Sequence, residues 1–70
     1  MISKDEALEI ARQDASSAYA DLTIYAVKIT SQDGNWRDDY EITDPNLQGG
    51  GPHYVISGAT GEIASRRYEQ

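Results

Sequence analysis

The chain has 70 residues, 12 Asp and Glu against 6 Lys and Arg, a formal net charge of -6 and no cysteine. That length holds one small domain that buries a modest share of its surface. The acidic balance repels nucleic acid and anionic membrane at long range. The missing cysteines exclude disulfides and thiolate metal sites, and no run approaches the roughly 20 apolar residues that span a bilayer.

Ser3 with Glu6 three residues on forms a capping box, in which each residue satisfies an amide the other leaves orphaned. Ile2 precedes it and can staple onto Ala7. The spacing predicts a helix from Lys4 to about Ala18, with Leu8, Ala11, Ala15 and Ala18 as its apolar stripe, widened by Ala7 and Ile10. The small residues allow close approach to a sheet. Asp5, Glu6 and Glu9 suit the positive end of the helix dipole.

Leu22 to Ser31 reads as the first strand. Leu22, Ile24 and Ala26 share one face; Tyr25, Val27 and Ile29 share the other. Apolar weight on both faces predicts a central place in the sheet. Asp33-Gly34 is a hairpin turn signal. Asn35 to Thr43 alternates, with Trp36, Asp38, Tyr40 and Ile42 on one face and Arg37, Asp39 and Glu41 on the wet face. Asp38 among aromatics suggests a bulge or a solvent-exposed strand end.

Asp44 to Pro52 is the one long connection and contains Gly49, Gly50 and Gly51. His53 to Ser57 and Glu62 to Tyr68 read as the last two strands, joined by a turn at Ala59-Thr60-Gly61. Tyr54 and Ile56 share a face, Val55 takes the other, and Ile63 points inward. The expected fold is α+β: a single domain over residues 1–70, with one N-terminal helix packed on a four-stranded antiparallel meander.

Few residues offer chemistry. A phosphate loop leads into a helix and carries Lys with Ser or Thr, whereas Gly49 to Gly51 leads into Pro52 and a strand. His53 is the only histidine. Asp39 or Asp44 can approach it in space, although spacing does not establish that. The acidic residues Asp38, Asp39, Glu41 and Asp44 lack the regular spacing of a calcium loop. An enzyme needs two oriented groups and a place that excludes water, and neither is evident. The expectation is a non-enzymatic chain without cofactor or catalytic residue.

Three stretches resemble PepSY-like small domains. Ile2-Ser3-Lys4-Asp5-Glu6-Ala7-Leu8-Glu9-Ile10-Ala11 is similar to that family's opening helix. Tyr54-Val55-Ile56 through Thr60-Gly61-Glu62-Ile63 is similar to its closing hairpin, and Trp36 to Ile42 is compatible with its middle strand. The connection from Asp44 to Pro52 departs from that pattern and looks closer to the YrhB-like and immunity-protein groups of small bacterial proteins. The resemblance implies a domain that binds proteins or restrains peptidases, and it supplies no catalytic residue.

The functional expectation is therefore a protein-interaction module, inhibitory or accessory. It would dock a partner or a second copy of itself through an exposed sheet face or edge. Trp36, Tyr40, Gly49, Gly50, Gly51, His53 and Arg66 are the candidate interaction residues. The alternative is a small-molecule or weak metal-binding domain that uses His53 and neighbouring carboxylates. The N-terminus has no apolar stretch of signal type, so cytoplasmic residence is expected if this is the native full-length chain.

Overall fold

The computed structural model describes residues 1–47 and 49–68. Helix α1 (Lys4–Ala18) is followed by strands β1 (Tyr25–Gln32), β2 (Asn35–Ile42), β3 (Pro52–Ser57) and β4 (Ile63–Tyr68). The strands form one antiparallel sheet in the order β1-β2-β3-β4, so each strand pairs with its chain neighbour. The α+β expectation holds, with the helix packed on one face of a four-stranded meander.

The capping box opens α1. The Glu6 amide donates to the Ser3 hydroxyl at 3.1 Å, and the Ser3 amide donates to Glu6 at 3.3 Å. Ala7, Ala11 and Ala15, four apart on one helix face, are completely buried. The buried stripe is thus narrower than expected: Leu8 is half-buried and Ala18 is exposed. Alanine alone at the contact line lets the helix sit close to the large side chains of the sheet. Those are Tyr40, Tyr54 and Ile56, which complete the core, with Ile2, Ile10, Leu22, Tyr25, Ile29, Trp36 and Ile63 packed around it.

Two sets of bonds hold the helix down. At its start the Ile2 amide donates to the Gly58 carbonyl at 2.7 Å, and the Trp36 indole donates to the Ile2 carbonyl at 3.2 Å. Near its end the Asp14 carboxylate accepts from the hydroxyls of Tyr54 at 2.9 Å and Tyr68 at 2.5 Å, and from Arg66 at 2.7 Å. Burial pushes the Asp14 carboxyl upward, but the bonds from Tyr68, Tyr54 and Arg66 outweigh it and hold the group below the usual carboxylate range. Its contribution to stability is present above the unfolded value near pH 4 and is lost as pH falls through the folded one.

The Asp33-Gly34 turn forms as expected, with φ of 52° and 79° at its two central residues, the sign that a tight hairpin requires. β1 departs from expectation. It begins at Tyr25, leaving Leu22 and Ile24 in the approach to the strand, and it lies at the edge of the sheet. The apolar weight read as a buried second face belongs to that approach. Ala26, Lys28 and Thr30, on the face away from the helix, are exposed.

Gly51 is fixed by packing. A Cβ there would lie 2.7 Å from the Tyr40 carbonyl oxygen and 2.9 Å from the Tyr25 ring. We expect Gly51→Ala to lower unfolding stability by about 1–3 kcal/mol, as overpacking does. Asp14→Ala should cost about 1–2 kcal/mol, while Arg12→Ala, at an exposed pair with Glu9, should leave the urea midpoint unchanged. Urea titrations at pH 7 check all three.

Candidate functional site

The helix covers one face of the sheet. The other face is set by strand alternation and carries a row that crosses all four strands in register: Lys28, Asp39, His53 and Arg67. The next row holds Thr30, Arg37, Val55 and Ser65. Half of the chain's six Lys and Arg lie on this uncovered face.

Asp39 is the hub. Its Oδ1 lies 2.6 Å from His53 Nδ1, and its Oδ2 accepts from Arg37 Nε at 3.1 Å. Burial acts to raise the Asp39 carboxyl, but the bond from His53 and the Arg37 guanidinium outweigh it and hold it below its ordinary value. Asp39 therefore stays ionised and orients both partners. Arg37, His53, Val55, Ser65 and Arg67 line a shallow hollow of about 230 Å³. Val55, with no polar atom on its side chain, occupies the register position between Arg37 and Ser65.

Of the candidate interaction residues, only His53 belongs to this hollow. Tyr40 is 4% exposed and is a core residue, so it leaves the surface set. Trp36 is half-buried on the helix side, its indole committed to the Ile2 carbonyl. Gly51 is buried against Tyr40 and Tyr25, while Gly49 is exposed and Gly50 half-buried. Arg66 points to the helix side and bonds Asp14, with its guanidinium 5.8 Å from the centre of the Tyr68 ring. It fastens the helix and is absent from the uncovered face. Lys28, Arg37 and Arg67 were missed. Their signal was the alternation of each strand combined with hairpin register.

Neither an exposed strand end nor a bulge accommodates Asp38. It is completely buried beneath the helix, opposite Ile29 and Tyr54, and neither carboxylate oxygen has a hydrogen-bond partner. The irregularity in the sheet lies elsewhere, at Val55 and Ile56. Burial, and then the charge of Asp39, push the Asp38 carboxyl up to about 6.

Among the described residues no group of three or more His, Asp or Glu is placed to hold a metal ion. His53 and Asp39 bond each other, and the next carboxylate does not complete a set. No helix among them is long and apolar enough to cross a membrane. A further groove of about 400 Å³ lies beside the helix, lined by Leu8, Leu22, Val27 and Tyr40 and flanked by Glu9 and Arg12, which pair with each other.

The unpartnered carboxyl gives a signed pH dependence. Folding favours protonated Asp38, so stability falls as pH rises from about 4 through about 6. Removing the charge should reverse this. We expect Asp38→Asn to raise unfolding stability at pH 7.5 on the order of 2 kcal/mol and to have little effect near pH 4. Urea titrations at the two pH values check it; equal effects at both would show that charge is not the cause.

Comparison with family models, with curated proteins and with solved structures finds no match to this chain.

Proposed function

We propose that the chain is a non-enzymatic protein-binding module that docks its partner on the uncovered face of the sheet. The observation that carries this reading is the Asp39 hub. It bonds and orients His53 and Arg37 on a face that no helix or further strand covers among the described residues. Side chains ordered before binding lose less entropy when a partner arrives. The edge strand β1 adds eight residues of backbone beside this face, and an edge can accept a partner strand.

Inhibition fits the same mechanism. A partner covered by the sheet face loses access to whatever that face occludes, and the PepSY resemblance suggests a peptidase as one such partner. A catalytic reading has less support. His53 and Asp39 lie on an open face, where the shallow hollow excludes little water. The metal-binding alternative lacks a third ligand among the described residues.

Cross-linked co-purification from native lysate, read by mass spectrometry, tests the proposal. A stoichiometric partner should be recovered with the unaltered chain and with Arg12→Glu, and lost with Arg37→Glu. Recovery of neither a partner nor a dimer would sink the module reading, and equal loss with both variants would move the interface off this face.

A further inference from the structure

Five of the chain's six Lys and Arg fall into two groups. On the helix side, Arg12 is paired with Glu9 and Arg66 with Asp14. Their charges are spent inside the molecule. On the uncovered face, Arg37 bonds Asp39 through Nε, and among the described residues its two Nη nitrogens have no partner. Lys28, on the far side of Asp39 in the same cross-strand row as His53, forms no ion pair among the described residues.

This arrangement is specific. A guanidinium held at Nε cannot turn freely, and it presents its Nη pair as a fork. That fork matches the two oxygens of a carboxylate. Asp39 thus aims Arg37 and leaves its outward donors unspent. The Val55 hollow lies directly beside it, with the Ser65 hydroxyl and Arg67 on the opposite rim. Lys28 lies in the adjoining groove with Thr30, Arg37, Asp39 and Glu41. Asp39 is already bonded to His53 and Arg37, so the Lys28 ammonium can meet a second anionic group one strand away, about 5 Å across the sheet.

We propose that the uncovered face takes an acidic peptide segment of a protein partner, one carboxylate received by the Arg37 fork over Val55 and another by Lys28. The proposal rests on the docking reading above and names the chemistry of what docks. Charge complementarity selects the occupant. Among the described residues the Arg37 Nη pair and the Lys28 ammonium on this face have no anionic partner, while the whole chain is at -6. An extended polyanion would meet that surrounding negative field. A short segment with two carboxylates meets Arg37 and Lys28, with Asp39 between them already bonded to His53 and Arg37.

The test is fluorescence anisotropy with a labelled octapeptide of alternating Glu and Gly, against the same peptide with Gln in place of Glu. The acidic peptide should bind and the neutral one should not, and added salt should weaken the binding. Arg37→Gln and Lys28→Gln should each weaken it about fivefold, the scale of one exposed ion pair, while Arg12→Gln leaves it unchanged. Circular dichroism of each variant verifies folding, and Lys28→Gln serves if Arg37→Gln disturbs the sheet. Equal binding of both peptides overturns the proposal. So does an Arg12→Gln effect as large as that of Arg37→Gln, or binding of inorganic phosphate or phosphatidylserine vesicles where the peptide does not bind. Competition separates this inference from the reading beneath it. If a captured partner depends on Arg37 but excess acidic peptide fails to displace it, docking stands and the acidic segment falls. If the peptide binds while no partner is captured, the site stands and the module reading falls.

Discussion

One carboxylate closes the structure. Asp14 receives two tyrosine hydroxyls and a guanidinium, and those donors come from both β3 and β4. The tie extends further through the rings. Tyr68 meets Tyr19 edge to face, Tyr19 meets Tyr25, Tyr25 meets Tyr40 and Tyr40 meets Tyr54, with ring centres 5.8–6.2 Å apart. Tyr54 then returns to Asp14. All five tyrosines of the chain lie on this circuit, which runs from the helix end across every strand. Each ring contact is small, on the order of 1 kcal/mol, but the loop fixes the helix against the whole sheet. The alanine line beneath it supplies closeness, and the circuit supplies position.

That division explains which features were legible in the sequence. The capping box, the Asp33-Gly34 turn and the alternation of β2 depend on neighbours within a few residues, so Ser3, Glu6 and Asp33 could be placed by inspection, whereas Trp36, offered as a surface residue, is tied to Ile2 across 34 positions. Asp14 could not. It is one polar residue in an amphipathic helix, and its meaning comes from Tyr68, 54 positions later. The candidate site divides in the same way. His53 stood out because it is unique, and Asp39 was one of two acids considered for it. Lys28 and Arg67 join them only after three hairpin registers are set. Arg66 and Arg67 are adjacent in sequence, yet alternation sends one to the helix and the other to the uncovered face. A run of two arginines cannot reveal that division.

Asp38 and Asp39 form a similar contrast. Adjacent carboxylates on one strand face opposite sides. Asp39 gains His53 and Arg37 and is held ionised, while Asp38 enters the core without a partner and is driven toward its neutral form. The strand parity that places Asp39 usefully on the outer face forces Asp38 inward. The cost of Asp38 and the order of the outer face are thus two results of a single register. A slip by one residue would exchange them and would also bury Arg37 and expose Tyr40.

The meander also bears on how the molecule opens. Every strand pairs with the strand next to it in sequence, so the sheet is assembled from short-range contacts that favour rapid folding. The helix joins through contacts that span most of the chain, at Ile2 with Gly58 and at Asp14 with Tyr68. The helix cannot leave alone, because Ala7, Ala11 and Ala15 form one buried core with Tyr40, Tyr54 and Ile56. The molecule therefore opens as a single cooperative unit, in which bonds between residues near in sequence build the sheet and bonds between its distant ends close it.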